Sequence, residues 1–461
     1  MIKNYISVAI RNIVRRKSFS ILNILGLTIG IISFMIILLF IQYELSFNKH
    51  IENYENKYRV VEIQTEPGVG EQHVAVTMGP LAEALKREYP EIENTLRIMR
   101  GPTTTIKHKN KSFNESYLAF ADSTVFSMFS VDLIHGDKNT ALKEINSIIL
   151  SEKTAKKYFG ETSEAIGKIL KVRGESFIVK GVMKNYPETS SVYFEALLPF
   201  QFIEDRFEWT RSWGSNSLDT YIHLARGASK SDLEAKFPDF QEKYMSENWH
   251  NPPELYIQPV KDIHLKSNHI KFQTYNHKQG DINQVYIFSI IAVLILLVAC
   301  INYINLATSM ALKRYKEVGV RKVIGASKPT LIFQFIGESL AITIVSAVIA
   351  LGGIALLLPV VNQILGISLE MDFSNSLFTT GLIITVLATG IISGIYPALY
   401  MSGFKPAVIF NGLRTSKGRD NSGFLRKALV VVQFAVSIVI IIATIVAISQ
   451  VHYFQNKEKG Y

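Results

Sequence analysis

Cysteine is almost missing from this chain: Cys300 stands alone among 461 residues. A domain exported from the cytosol without a second cysteine cannot use a disulfide, so packing alone must hold it together. Motifs for nucleotide and catalytic chemistry are also missing. No Gly-x-x-x-x-Gly-Lys-Ser/Thr cradle occurs, and Gly68-Val-Gly70 lacks the third glycine and the strand-to-helix setting of a phosphate-binding turn. His264 and His269 sit five apart in a polar stretch with no His-Glu-x-x-His pair anywhere. No Gly-x-Ser-x-Gly elbow offers a nucleophile. The sequence therefore gives no catalytic residue, no metal site and no cofactor of its own.

Long apolar runs are plentiful. They cover Ile21–Ile41, Val285–Ala307, Leu340–Leu358, Leu377–Leu399 and Ala428–Ile448. Each is about 19–23 residues, enough for a helix rising about 1.5 Å per residue to cross roughly 30 Å of hydrocarbon. The expected fold is an α-helical membrane domain of about five transmembrane helices, with a large extracytoplasmic mixed α/β domain inserted after the first.

Charge sets the expected sidedness. Lys3, Arg11, Arg15, Arg16 and Lys17 precede the first span without an acidic residue. Lys313, Arg314, Lys316, Arg321, Lys322 and Lys328 face only Glu317 over residues 308–337, between spans two and three, and Lys405, Arg414, Lys417, Arg419, Arg426 and Lys427 face only Asp420 between spans four and five. These three segments sum to about +15 against +10 for the whole chain, and short basic loops stay cytoplasmic. The N-terminus is thus expected inside and residues 45–283 outside. Because the cations sit at membrane ends, they indicate lipid contact rather than nucleic acid. The first span is too long and too late for a cleaved signal peptide.

The domain boundaries follow. Residues 1–20 read as a cytoplasmic amphipathic helix, with Ile2, Tyr5, Ile6, Ala9, Ile10 and Ile13 on one face. The first span covers 21–41 and the outer domain 45–283. A permease portion covers 285–410, with spans at 285–307, 340–358 and 377–399. A basic linker at 411–427 leads to a fifth span at 428–448.

Within the outer domain, Thr77 as N-cap and Pro90 as terminator predict a short helix. Residues 147–150 predict a strand feeding a helix at 151–159, ended by Gly160. A hairpin is expected from 169–172 and 177–182, and a strand from 220–224. Ser229 with Asp232 predicts a helix running toward Tyr244 and kinked by Pro238. Tyr193, Phe194, Phe200, Phe202, Phe207, Trp209 and Trp213 are expected to form core, a ligand groove being the alternative.

Two spans carry small-residue faces, Gly26-x-x-x-Gly30 and Gly390-x-x-x-Gly394, that let another helix approach closely. Asn302 and Asn305 would be costly facing lipid and are expected in a helix interface or the headgroup layer. Glu338 and Gln334 share one face at the start of the third span, either snorkelling or functional. Residues 313–324 read as a short helix lying crosswise between two spans and closed by Gly325, with Ser327 capping the next helix. Such a helix is a lever.

The runs Cys300-Ile-Asn-Tyr-Ile-Asn-Leu-Ala-Thr308, Lys313-Arg-Tyr-Lys-Glu-Val-Gly-Val-Arg-Lys-Val-Ile-Gly-Ala-Ser327, Gln334-Phe-Ile-Gly-Glu-Ser-Leu340 and Ser393-Gly-Ile-Tyr-Pro-Ala-Leu-Tyr400, followed by Phe404-Lys-Pro406, resemble FtsX-like permeases of the MacB type. The interval with Tyr43-Glu-Leu-Ser-Phe47 and Tyr58-Arg-Val60 resembles the MacB-type periplasmic core domain. The resemblance implies a non-catalytic subunit of a bacterial ATP-binding-cassette complex in the cytoplasmic membrane. ATP would be bound by a separate nucleotide-binding subunit, and its hydrolysis converted into rearrangement of the outer domain. By position, Glu317, Gly319, Arg321, Lys322, Gly325 and Ala326 would couple to that subunit. Long relatives continue with another outer domain and three more spans, so the fifth span resembles the start of a second repeat. A second permease copy or a paralogue is an expected partner, as is a periplasmic or outer-membrane protein. The resemblance also admits a transmembrane regulator of a cell-wall hydrolase or signalling partner.

Overall fold

The computed structural model describes residues 17–403 and 420–456 apart from 67, 69 and 250. Most of the expected N-terminal amphipathic helix, the Phe404-Lys-Pro406 run and the greater part of the basic linker lie outside the described residues. The chain divides into two compact units, one of Met1–Gln42 with Val285–Tyr461 and one of Tyr43–Gln284.

The first unit is built from long apolar helices: α1 (Lys17–Glu44) and, after the inserted unit, four more that are labelled below. Among the described residues, five helices hold a segment long and apolar enough to cross a membrane: Lys17–Glu44, Ile282–Met310, Lys328–Leu365, Ser376–Ser402 and Lys427–Gln450. In the first four, a minority of that apolar stretch is buried within the chain, and in the last none is. Such a pattern suits helices whose remaining surface meets hydrocarbon.

The second unit is a mixed α/β domain around a fifteen-stranded sheet. In chain order come β1 (Lys57–Glu66), β2 (Gly70–Val74), β3 (Thr77–Met78), α2 (Leu81–Glu88), β4 (Ile92–Arg100), β5 (Thr104–His108), β6 (Lys111–Glu115), β7 (Leu118–Ala121) and α3 (Val125–Met128). There follow β8 (Leu133–His135), β9 (Ser147–Ser151), α4 (Glu152–Phe159), β10 (Ile169–Val172), β11 (Glu175–Met183), β12 (Ala196–Pro199) and α5 (Gln201–Glu204). Last come β13 (Asn216–Leu224), α6 (Lys230–Glu234), α7 (Phe237–Met245), β14 (Glu254–Pro259) and β15 (Ile270–Phe272). The strands run in the order β15-β2-β1-β13-β4-β7-β12-β9-β11-β10-β5-β6, with β14 on β1, β3 on β13 and β8 on β11. Most pairs are antiparallel, but β12 lies parallel to β7, β9 to β11 and β15 to β2.

Local chemistry explains several elements. Ser151 caps α4 by accepting from the Thr154 amide, and Gly160, at φ 89°, ends it in a conformation that β-carbons disfavour. β10 and β11 pair through the turn at Arg173 and Gly174, both at positive φ. Phe194 and Phe200 are fully buried, in two separate apolar clusters, while Phe207 is exposed and stacks on Trp209.

Two sequence expectations fail here. Thr77 does not cap α2. It lies in β3, where its hydroxyl bonds Thr220 at 2.7 Å, and Pro80 holds the cap position. β-branched threonine suits a strand as well as a cap, and here cross-strand pairing won. The helix expected from Ser229 toward Tyr244 is two helices instead. Ser229 caps only α6, and Pro238 starts α7 rather than kinking one long helix, as expected of a residue without an N–H, which is tolerated in a first turn.

Candidate functional site

The helix following the α/β unit is α8 (Ile282–Val323), 42 residues long. The next are α9 (Lys328–Leu365), α10 (Ser376–Ser402) and α11 (Asp420–Asn456). At about 1.5 Å per residue, α8 measures roughly 63 Å, about twice the hydrocarbon thickness. Residues 313–323 therefore belong to the same helix as the span, as its terminal shaft, and do not form the separate crosswise helix expected from sequence. From Ala307 to Val318 there is no glycine or proline to break the helix. Crossing from apolar to charged residues does not by itself end one.

The shaft stops in a sharp elbow. Gly325 adopts φ 99°, its amide donates to the Lys322 carbonyl at 3.1 Å, and the Ala326 amide donates to the Arg321 carbonyl at 2.9 Å. These two bonds form a Schellman cap, which satisfies carbonyls that the helix end leaves open. Ser327 then caps α9, its hydroxyl accepting from the Thr330 amide, with Pro329 in the first turn. Only four residues separate α8 from α9, so the elbow is stiff.

Side chains brace it. Val318 is buried with Leu331, Phe335, Ala398 and Met401, joining the ends of α8, α9 and α10 in one apolar cluster against which Ala326 also packs. The Lys322 ammonium donates to the Ser402 carbonyl at 2.6 Å, one of the open carbonyls at the end of α10. Arg314 and Glu338 form an ion pair at 2.6 Å, and Gln334 donates to the second Glu338 oxygen at 3.2 Å. Glu317 and Arg321 pair along the flank of α8 at 2.7 Å.

The six residues that the family resemblance assigns to coupling thus divide. Gly319 is buried, Lys322 bonds within the chain, Ala326 is half-buried, and Glu317 and Arg321 bond each other. Gly325 is exposed. Also exposed at the elbow are three apolar side chains that the resemblance does not assign to coupling: Val320, Val323 and, at 80% exposure, Ile324. They follow the 3–4 spacing of one helix face and sit amid cations, a combination readable from sequence once 313–323 is taken as continuous helix.

The helix-packing residues also have definite neighbours. A β-carbon on Gly30 would lie 2.5 Å from Ala299 Cβ, and one on Gly26 would lie 3.1 Å from Asn302 Nδ2. On α10, Gly390 faces Leu340 at 2.5 Å and Gly394 faces Ser339 at 2.8 Å by the same measure. The Asn305 Oδ1 atom is buried and finds no hydrogen-bond partner among the described residues.

Residues 20–240 match the model of the MacB-like periplasmic core domain, and residues 289–406 match that of the FtsX-like permease C-terminal domain. The chain belongs to the MacB-type, FtsX-like permeases. It is 23% identical over 289 residues to an uncharacterized ABC transporter permease of Bacillus subtilis, YknZ, covering 61% of this chain and 62% of that one. It is 23% identical over 282 residues to the pyoverdine export ATP-binding/permease protein PvdT of Pseudomonas syringae, covering 59% of this chain and 40% of that one. The permease therefore matches less than two thirds of either relative's length. Among solved structures, a permease domain from Porphyromonas gingivalis aligns with TM-score 0.41 at 23% identity, over 45% of this chain and 91% of that one. The periplasmic region of MacB from Actinobacillus actinomycetemcomitans aligns with TM-score 0.34 at 16% identity, over 47% and 95%.

Proposed function

We propose that this ABC-transporter permease is the non-catalytic membrane subunit of a complex in the bacterial cytoplasmic membrane. In this reading the elbow at 320–326 seats on a separate ATP-binding subunit. ATP binding and hydrolysis there move the elbow, and α8, rigid over 42 residues, carries the displacement to the α/β domain on the far side. That domain then acts on a substrate already outside the cytosol. No path through the helices is required.

The observation supporting this reading is the outward apolar cluster of Val320, Val323 and Ile324 on an elbow held by a Schellman cap and a buried ion pair. Apolar residues presented on a stiff support, ringed by charge, are the anatomy of a docking knob. ATP belongs to the partner, since the chain has no phosphate cradle. A second permease copy or a paralogue completes the membrane assembly, and α11, whose apolar window buries nothing within this chain, is the surface available to it or to lipid.

The test is purification of the intact complex from its native membrane. An ATPase subunit should come with the chain, and Ile324→Asp or Arg321→Glu should abolish its retention and its stimulation. An unchanged ATPase response in both variants contradicts the docking role.

A further inference from the structure

The chain passes into and out of the α/β unit through two short segments, residues 43–48 and 280–284, and one residue pair ties them together. His264 Nε2 lies 2.9 Å from Glu44 Oε2, with the two side chains 1% and 11% exposed. The imidazole stacks flat on Phe47, ring centroids 3.4 Å apart and planes 3° from parallel. From the other side, the Gly280 amide donates to the His264 carbonyl at 3.1 Å and the Ile282 amide donates to the Leu265 carbonyl at 3.0 Å. A β-carbon on Gly280 would fall 2.5 Å from the Glu44 carboxylate and 2.7 Å from His264 Nε2, so only glycine lets the second segment close over the pair.

A second layer fixes the first. Asn48, held at φ 63°, is buried. Its side-chain amide donates to the Val260 carbonyl at 2.7 Å and the Ser191 hydroxyl at 2.9 Å, while its oxygen accepts from the Ser191 amide at 2.8 Å. Lys278 pairs with Glu188 at 2.6 Å. Residues 44–48 are thus bound to the 260–265 segment, and that segment is bound to residues 280–282, where α8 begins.

Burying an imidazole against a carboxylate is a poor way to gain stability, since an apolar pair of equal volume usually does as well or better. What such a pair supplies is a single permitted arrangement. We propose that Glu44 and His264, closed by Gly280, are the positioning residues of a neck clamp that makes the end of α1 and the start of α8 one mechanical element where they meet the α/β domain. This rests on the transmission role proposed above. It adds the place at which displacement enters the domain: residues 44–48 and 280–282 move together or not at all.

Hydrogen exchange on the full chain in lipid nanodiscs tests the clamp without any partner. Glu44→Gln, and His264→Phe, which keeps the stack on Phe47, should cost the Gly280 and Ile282 amides about tenfold or more in protection while the β4 and β13 amides hold theirs. Wild-type protection at both amides in both variants overturns the clamp. With the ATPase subunit bound, ATP should change exchange in the wild-type sheet and fail to do so in Glu44→Gln. A variant that loses neck protection yet keeps the ATP-driven change overturns the positioning role. A wild-type complex in which ATP alters nothing in the sheet contradicts the permease reading, and the exchange at Gly280 and Ile282 still decides the clamp.

Discussion

Arg314 Nη1 lies 2.6 Å from Glu338 Oε2, which binds α8 to α9 one helical turn or more from the elbow they share. Both side chains are nearly buried, and the guanidinium also lies over the Phe335 ring at 5.8 Å. Removing Arg314 takes the compensating positive charge from the nearly buried Glu338 carboxylate. Arg314→Ala should therefore destabilise the helical unit by about 3–5 kcal/mol, while Arg314→Met combined with Glu338→Leu should recover most of that loss. Unfolding of the single and double variants in detergent, taken as a double-mutant cycle, measures it. Additive losses would show that the pair does not act as one.

The glycine faces predict a pattern of tolerance. Gly30→Val and Gly394→Val push a side chain into Ala299 and Ser339 and should each cost about 1–3 kcal/mol through overpacking. Gly352→Ala is the control, because its added β-carbon would meet nothing within 4 Å, and it should be neutral or slightly stabilising. Thermal unfolding of the three variants separates packing from helix propensity.

Two buried carboxyls give the α/β domain a pH signature. Burial pushes Asp219 up to about 8, although the Arg59 charge opposes it, and burial pushes Glu62 up to about 8 against hydrogen bonds from Gln64 and Asn216. Both groups are protonated in the folded domain at pH values where the unfolded chain has lost the proton. The folded state thus binds more protons between about pH 4 and 8, and stability falls as pH rises through that window, by at most about 1.4 kcal/mol per pH unit for each group. Asp219→Asn and Glu62→Gln should flatten the fall. Chemical unfolding of the chain at pH 5 and pH 8 checks this, and a wild-type slope retained in the double variant would contradict it.

His50 acts at the acid end. Burial lowers it to about 4, and its ring packs edge-on against Tyr186 at 5.1 Å. The unfolded chain takes up this proton near pH 6.5 and the folded chain only near 4. Stability is lost as pH falls across that interval. His50→Phe should remove this acid-side loss, as read by denaturant midpoints at pH 4.5 and 7.

The apolar helices and many local elements of the α/β domain were legible because their signals are local. An apolar run of about 20 residues, a serine cap before α9 and a glycine pair at the right spacing each act within a few residues. What stayed hidden depends on distant partners. Arg314 and Glu338 are 24 positions apart, and only the presence of a lone carboxylate in an apolar run hinted that a cation must meet it. The parallel pairing of β12 with β7 joins strands almost 80 positions apart, with nothing local to specify it. Residues 313–323 differ from expectation for another reason: a membrane edge is not a helix end, and backbone propensity and the glycine at 325 decide where α8 stops. The side chains exposed at the elbow are accordingly the apolar Val320, Val323 and Ile324 that lie between the charged residues of the motif.

Transmission requires that the elbow and the α/β domain lie on opposite sides of the bilayer. Single cysteines at exposed positions, Lys168→Cys in the domain and Ile324→Cys at the elbow, can be placed on a Cys300→Ser background and challenged with a membrane-impermeant maleimide on intact cells. Position 168 should label from outside and position 324 only after permeabilisation; labelling of both from the same side would rule out transmission across the bilayer.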